Sequence, residues 1–226
     1  MPFISPDDGY MTLFNLFDTA DREKQNQVLE AMRNIVDNAD YPGWISSTVH
    51  AGQDNPGTAN YIQWRSAEDL KARYAGKEFR TKTVPEFHRL ATNVQLIQTE
   101  LVFAQRHPSL GGVTEISPKR DDYTVIFVLR CAPENQKALV DTLAKPDDWL
   151  LTVPGYRSHA YFRSLDGTAV VNYAQWDSKE TYDAFHTLPE EQRPLDVRKG
   201  RERARSLSTG RWANTFRVWH SRSAAN

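Results

Sequence analysis

The sequence predicts an α+β fold in which two tandem β-α-β-β-α-β repeats close on each other as a pseudo-dimeric α/β barrel. Three observations support this prediction. The chain has 226 residues, enough for two small domains of about 100 residues each. The pattern Asn-Tyr-x-Gln-Trp occurs twice, at 60–64 and at 172–176. Both copies lie within the same order of strand-like and helix-like segments.

A constant offset of 112 residues relates the two copies. It pairs the Pro-Gly dipeptides at 42–43 and 154–155, and further identical residues between about positions 10 and 70, without a gap. The sequence therefore predicts a tandem duplication. We place the first repeat at 1–106, a linker at 107–120 and the second repeat at 121–226. Because the linker contains Pro108, a Gly-Gly pair at 111–112 and a polar run, we expect it to lie at the surface.

Each repeat begins with a strand and a helix. Segments 10–17 and 123–130 are rich in β-branched and aromatic residues, as strands are. Segment 21–38 has apolar residues at helical spacing among polar ones, namely Val28, Met32 and Ile35. Its counterpart runs from Pro133, which suits a first helical turn, to about residue 145.

A hairpin, a second helix and a closing strand complete each repeat. Pro42-Gly43 turns the chain into the hairpin, and a stretch rich in Gly, Asn and Asp lies at its tip. Ser66, with Asp69 three positions later, predicts a helix N-cap. The predicted segments are strands 44–50 and 58–64, a helix from Ser66 and a strand at 95–104, and in the second repeat a turn at 165–167 and a strand at 213–220. This order is the ferredoxin-like arrangement, with both helices on one face of the sheet. Two copies in one chain can cover each other's free sheet faces.

Composition excludes several classes of function. Lys and Arg number 28 against 29 Asp and Glu, so no overall charge draws the chain to nucleic acid or to an anionic membrane. We interpret the basic run 198–205 as a solvated helix end. Cys131 is the one cysteine, which excludes an internal disulfide, and the six histidines are too scattered to predict a metal site. Nucleotide-binding and hydrolase motifs are absent, as is a signal peptide, so we expect a soluble, cytoplasmic protein.

The repeated pentapeptide predicts a polar pair on one face of a strand. Alternation puts Asn60 and Trp64 on one face, and Asn172 and Trp176 likewise, with about 13 Å of strand between amide and indole. Such a pair could form the floor of a pocket for a flat aromatic ligand, to which His50 on the neighbouring strand could contribute. The alternative is a core tryptophan under a helix and a buried asparagine that ties down the hairpin. The spacing alone leaves both open.

The ten residues 167–176 resemble the signature strand of the antibiotic biosynthesis monooxygenase family, and are most similar to its quinone-forming members from aromatic polyketide pathways. The resemblance implies a ferredoxin-like dimeric barrel. It also implies oxidation of an anthrone-type or phenolic polycycle to a quinone by O2, with no cofactor and no metal. An aromatic polyketide and O2 are then the partners, and a homo-oligomer stays open.

The resemblance also implies candidate site residues. They are Asn60, Trp64, His50, Asn172 and Trp176 as catalytic residues, and Tyr182, Arg198 (with Arg193 as its partner) and Phe162 as substrate-binding residues. Neither repeat holds the full family set. The family histidine corresponds to His50 in the first repeat but to Phe162 in the second, and the family tyrosine corresponds to Tyr182 but to Leu70 in the first.

The implied mechanism starts from a deprotonated anthrone or hydroquinone that gives one electron to O2. Asn60 or Asn172 would hold the substrate oxygen, Trp64 or Trp176 would donate from its indole N–H, and His50 would carry the proton. Two other functions remain open. One is a non-catalytic ligand-binding or scaffolding protein of a pathway. The other is haem binding through His88, which Gly200 replaces in the second repeat.

Overall fold

The computed structural model describes residues 2–111 and 113–224 and confirms the predicted α+β barrel. Its strands are β1 Phe3–Ile4, β2 Met11–Asp18, β3 Trp44–Gly52, β4 Gly57–Trp64, β5 Asn93–Arg106, β6 Thr114–Glu115, β7 Tyr123–Cys131, β8 Tyr156–Ser164, β9 Ala169–Trp176 and β10 Ser208–Ser223. Its helices are α1 Arg22–Asp37, α2 Ala67–Ala75, α3 Val84–Leu90, α4 Pro133–Leu143, α5 Lys179–Thr187 and α6 Leu195–Leu207, with a π-helical turn at Phe79–Thr83 and short 3-10 turns at Pro108–Leu110, Leu150–Thr152 and Glu190–Gln192.

Eight strands form one closed barrel in the order β10-β3-β4-β2-β5-β8-β9-β7. The last strand of each repeat runs past its own sheet and pairs with the other repeat. Thus β5 pairs with β8 from Thr99–Ser164 to Arg106–Ser158, and β10 pairs with β3 from Phe216–Gly52 onward. The two sheets therefore close on each other, and no barrel strand has a free edge.

The barrel interior is one core built from both repeats. Tyr61 and Tyr173, the second residues of the two pentapeptides, are fully buried there with ring centroids 5.9 Å apart. Phe14 and Phe162 pack edge to face beside them at 5.1 Å. Aromatic contacts of this kind add to the free energy gained from burying apolar surface, so the two sheets stabilise each other through this shared core.

The fourth residue of each pentapeptide ties down a short ribbon formed by β1 and β6. Gln63 Nε2 donates to the carbonyl oxygen of Phe3, and Gln175 Nε2 donates to that of Glu115, each at 2.9 Å. Ile116, directly after β6, is fully buried in the barrel core. The expectation of a surface linker over 107–120 is therefore wrong at Thr114, Ile116 and Ser117, which are buried, with Ile116 in the barrel core. Gly112 lies outside the described residues.

Helices cover the outer face of each sheet. Asp21 caps α1 by accepting from the backbone N–H of Lys24 at 2.7 Å, and the predicted N-cap Ser66 accepts from that of Asp69 at 3.2 Å. The single second helix expected in each repeat is divided in two. In the first repeat α2 ends at Gly76, whose ψ of 138° leaves the helical region. In the second, Pro194 precedes α6 with an extended ψ of 148°.

Candidate functional site

A cavity of about 100 Å³ lies in the first repeat, between the outer face of its sheet and the helices that cover it. Alternate residues of β2 and β4 form the floor, including Asn15, Asn60 and Trp64. The walls are largely apolar and come from α1, α2, the π-helical turn and α3. They include Met32, Leu70, Tyr74, Phe79 and Phe87. We refer to this space as the first-repeat cavity.

Four polar atoms around the first-repeat cavity are buried without a hydrogen-bond partner among residues 2–111 and 113–224. They are Asn15 Oδ1, Asn60 Oδ1, Trp64 Nε1 and the Tyr74 hydroxyl. Asn60 is 6% exposed and Trp64 is 3% exposed. Because a buried polar group without a partner costs free energy, these four atoms are available to hydrogen-bond a molecule that enters the cavity.

Aromatic stacking fixes the orientation of these side chains. Tyr74 stacks on Phe79 with ring centroids 4.4 Å apart and an interplanar angle of 11°, and Tyr41 stacks on Trp64 at 6.5 Å. The Arg73 guanidinium lies 4.1 Å from the centre of the Tyr41 ring and donates to its hydroxyl at 3.0 Å. Burial raises the pKa of Tyr74 to about 12, so its hydroxyl keeps its proton at neutral pH and can donate it in a hydrogen bond.

The prediction that His50 shares a pocket with Asn60 is wrong. Val49 is the β3 residue opposite Asn60, whereas His50 is opposite Ala59 and points into the barrel. There it is fully buried, with Nε2 2.9 Å from the Tyr173 hydroxyl, and burial lowers its pKa to about 4. Phe162, its counterpart, is likewise buried in the barrel core, so neither side chain can touch a ligand in the first-repeat cavity. The imidazole that does line this cavity among the described residues is that of His88, which is exposed on α3.

In the second repeat, Trp176 and Tyr182 come together but aromatic rings fill the space around them. Trp176 is 3% exposed, 4.8 Å from the Phe185 ring and 5.8 Å from that of Tyr182, centroid to centroid. Asn172 is half-buried, and its Nδ2 donates to the carbonyl oxygen of Ala160 at 3.3 Å. The Nδ2 of Asn172 therefore already has a partner in the protein.

The predicted arginine pair lies on and before α6. Arg193 is buried and its Nη2 donates to the carbonyl oxygens of Phe185 and Leu188, at 2.8 and 3.1 Å, so it holds the end of α5. Its guanidinium also lies 5.0 Å from the centre of the Phe185 ring, beside Trp176. Arg198, on α6, is half-buried.

Three polar residues near the two sheets were not predicted as site residues from the sequence. Asn15 and Tyr74 lie outside any motif, and only strand pairing and helix packing bring them to Asn60 and Trp64. His159 is on the outer face of the second sheet, opposite Ala174, where its Nδ1 lies 2.8 Å from the Tyr156 hydroxyl and burial lowers its pKa to about 4. Strand alternation from Asn172 could have indicated His159, had the register of the hairpin been known.

The described residues contain neither a metal-ligand cluster nor a membrane-spanning helix. Across 2–111 and 113–224, no three His, Cys, Asp or Glu side chains are grouped so that they could hold a metal ion. Within the same part of the chain, every helix is too short or too polar to cross a membrane.

Comparison with known proteins gives one family match and three similar proteins. The model of the antibiotic biosynthesis monooxygenase family matches residues 122–193. The tetracenomycin-F1 monooxygenase of Streptomyces glaucescens is 40% identical over 82 residues, which are 36% of this chain and 73% of that protein. A crystal structure described as an anthrone oxidase-like protein is 42% identical with a TM-score of 0.94, and the match covers 100% of this chain and 98% of that one.

A more distant structure, from Fusobacterium nucleatum subsp. nucleatum, has a TM-score of 0.62 at 9% identity and covers 95% of this chain and 94% of its own. This last likeness shows the fold alone.

Proposed function

Because the chain belongs to the antibiotic biosynthesis monooxygenase family and is a monooxygenase, we propose that it oxidises a polycyclic aromatic polyketide intermediate with O2 to a quinone. The substrate would be of the anthrone or phenol type. The observation that carries this proposal is the first-repeat cavity, whose apolar walls surround four polar atoms that lack partners within the described chain. The names of the two similar proteins, a tetracenomycin-F1 monooxygenase and an anthrone oxidase-like protein, support the same substrate class.

The proposed reaction converts a ring CH2 group and O2 into a ring C=O group and water. The substrate first loses a proton and becomes an enolate. The enolate gives one electron to O2, and the resulting substrate radical and superoxide combine to a peroxide on the ring carbon. Uptake of a proton and loss of water, with cleavage of the O–O bond, then leave the quinone carbonyl. The enolate itself supplies the electrons in this sequence.

The residues of the first-repeat cavity suit the charges that develop. With its amide turned so that Nδ2 replaces the unpartnered Oδ1 at the cavity, Asn60 would donate an N–H to the enolate oxygen. The Trp64 indole N–H and the Tyr74 hydroxyl would donate to oxygens of the substrate or of the peroxide. Apolar walls exclude water and so strengthen these few hydrogen bonds. We propose that His88, at the exposed edge of the cavity, accepts the proton that the substrate loses in the first step. From the sequence alone, His50 is expected in this role.

We assign the reaction to the first repeat, because aromatic rings pack around Trp176 in the second. Asn172, Trp176, Tyr182 and Arg198 stay predicted site residues of a second site. The packing of Phe185 on Trp176 argues for a filled or smaller pocket there. A cytoplasmic location and self-association also stay predictions.

Oxygen uptake with 1,8-dihydroxyanthrone, in the presence of a chelator and without added flavin, tests this proposal. We expect one O2 consumed per quinone formed, and a large loss of rate in the double variant Asn60→Leu/Trp64→Phe. The matched double variant Asn172→Leu/Trp176→Phe measures what the second repeat contributes. Binding of the anthrone with no protein-dependent O2 uptake would refute the proposal and favour the ligand-binding alternative, whereas a Soret shift on addition of haem would favour the haem alternative.

A further inference from the structure

A second asparagine faces Asn60 across the sheet of the first repeat. Asn15 on β2 is directly opposite Asn60 on β4 in the antiparallel register, so both side chains point to the same face. Directly opposed residues have Cβ atoms about 5 Å apart. Both residues line the first-repeat cavity, and the Oδ1 of each is buried and unpartnered within the described part of the chain. The two carboxamides thus form an adjacent pair on the cavity floor.

The second repeat does not have this pair. At the position related to Asn15 by the 112-residue offset stands Phe127, which is opposite Asn172 in the corresponding register. Asn172 uses its amide within the protein, by donating to the carbonyl oxygen of Ala160. The fold therefore does not require an amide at this position of the first strand of a repeat. The requirements of the fold do not explain the carboxamide of Asn15.

Electrostatics indicate what the pair would bind. A carboxamide offers N–H donors on one side and a carbonyl acceptor on the other. If Asn60 turns its Nδ2 to an enolate oxygen while Asn15 keeps its unpartnered Oδ1 at the cavity, the Asn15 carbonyl would repel the enolate oxygen in this apolar environment. A substrate hydroxyl beside the enolate oxygen removes this repulsion. It lies between the enolate oxygen and Asn15 Oδ1, and it donates its proton to Asn15 Oδ1 in a hydrogen bond.

We propose that Asn15 is a substrate-binding residue of the first repeat, and that it selects polycycles carrying a hydroxyl beside the oxygen that Asn60 holds. This inference rests on the proposed function, because it takes the oxygen at Asn60 to be that of the oxidised ring system. The substrate class is thereby narrowed to peri-hydroxylated anthrones and related phenols, in which a hydroxyl and the enolate oxygen share one edge of the molecule.

Binding of two quinones tests the inference without any turnover. The ligands are 1,8-dihydroxyanthraquinone and unsubstituted anthraquinone, and their binding is followed by quenching of tryptophan fluorescence, since Trp44 and Trp64 line the cavity. Loss of one hydrogen bond in Asn15→Leu should weaken binding of the dihydroxy ligand on the order of tenfold and leave anthraquinone within about twofold. The matched variant Phe127→Leu should change neither.

Equal effects of Asn15→Leu on the two ligands, or no effect on either, would overturn the inference. Asn15→Ala serves as a second variant if Asn15→Leu does not fold, as judged by circular dichroism. Oxygen uptake with 1,8-dihydroxyanthrone is measured in parallel and separates the two proposals. If Asn15→Leu affects the two quinones differently but the protein takes up no O2 with the anthrone, only the proposed function is contradicted. If the protein takes up O2 but Asn15→Leu affects both quinones alike, only the role of Asn15 is contradicted.

Discussion

His50 should make the stability of the protein depend on pH. The imidazole is fully buried in the barrel, and its Nδ1 lies 3.2 Å from the carbonyl oxygens of Thr48 and Ala59. Because carbonyls only accept, Nδ1 carries the proton, and Nε2 accepts from the Tyr173 hydroxyl at 2.9 Å. Burial lowers the pKa of His50 from 6.5 to about 4. The folded state therefore holds a neutral ring where the unfolded chain would bind a proton.

The sign and size of the effect follow from the two pKa values. Above pH 6.5 neither state binds the proton, and the contribution of His50 to stability is fully present. As the pH falls from 6.5 towards 4, the unfolded state gains the proton first, so the free energy of unfolding decreases. The total loss is on the order of 3 kcal/mol, of which about 2 kcal/mol is lost by pH 5.

Urea unfolding followed by circular dichroism, at a series of pH values from 8 to 5, measures this loss. The informative variant is His50→Phe/Tyr173→Phe, because Phe162 already fills the counterpart position and removal of the hydroxyl leaves no orphan donor. From pH 8 to pH 5, the free energy of unfolding of this double variant should decrease by about 2 kcal/mol less than that of the wild type. His186→Gln, at an exposed site, should keep the wild-type dependence. The same pH dependence in the double variant and the wild type would refute the reasoning.

Three further variants test the first-repeat cavity. Trp64→Phe keeps an aromatic ring but loses the indole donor, so kcat for anthrone oxidation should fall on the order of 10²-fold or more with little change in thermal stability. Asn60→Asp puts a negative charge beside the developing enolate and should nearly abolish O2 uptake; normal rates in it, alone and combined with Asn172→Asp, would contradict the assignment. His88→Ala should lower kcat without weakening quinone binding, and imidazole in the buffer should restore part of the rate, because the edge of the cavity is open to solvent.

Strand alternation within the pentapeptide was sufficient to predict the faces of its residues. Asn60 and Trp64 do share the outer face, while Tyr61 and Gln63 point into the barrel. Trp64 is packed under helices, as one of the two interpretations expected, and its Nε1 lacks a partner in residues 2–111 and 113–224. That the pair binds a flat aromatic ligand stays a prediction. Local periodicity therefore predicts which side a residue takes, and long-range packing decides what lies there.

The register of the β3–β4 hairpin explains why the sequence led to the wrong face of the sheet for His50. In an antiparallel pair, one residue more or less in the connecting loop moves every side chain of a strand to the other face. The loop between β3 and β4 aligns Val49 with Asn60, and an irregularity between Trp44 and Ser46 shifts the pairing further along. Neither feature can be read from residue types. For the same reason Asn15 was not predicted as a site residue, since its position opposite Asn60 depends on the register of β2 and β4.

The crossing of β5 and β10 into the opposite sheet has a consequence for how such a protein can change over time. A homodimer of single repeats has two identical active surfaces, and any substitution enters both at once. Here the polypeptide itself joins the halves, so the partner is present at every dilution and each half can vary alone. One half can then lose its chemistry and persist as the scaffold that keeps the other half folded.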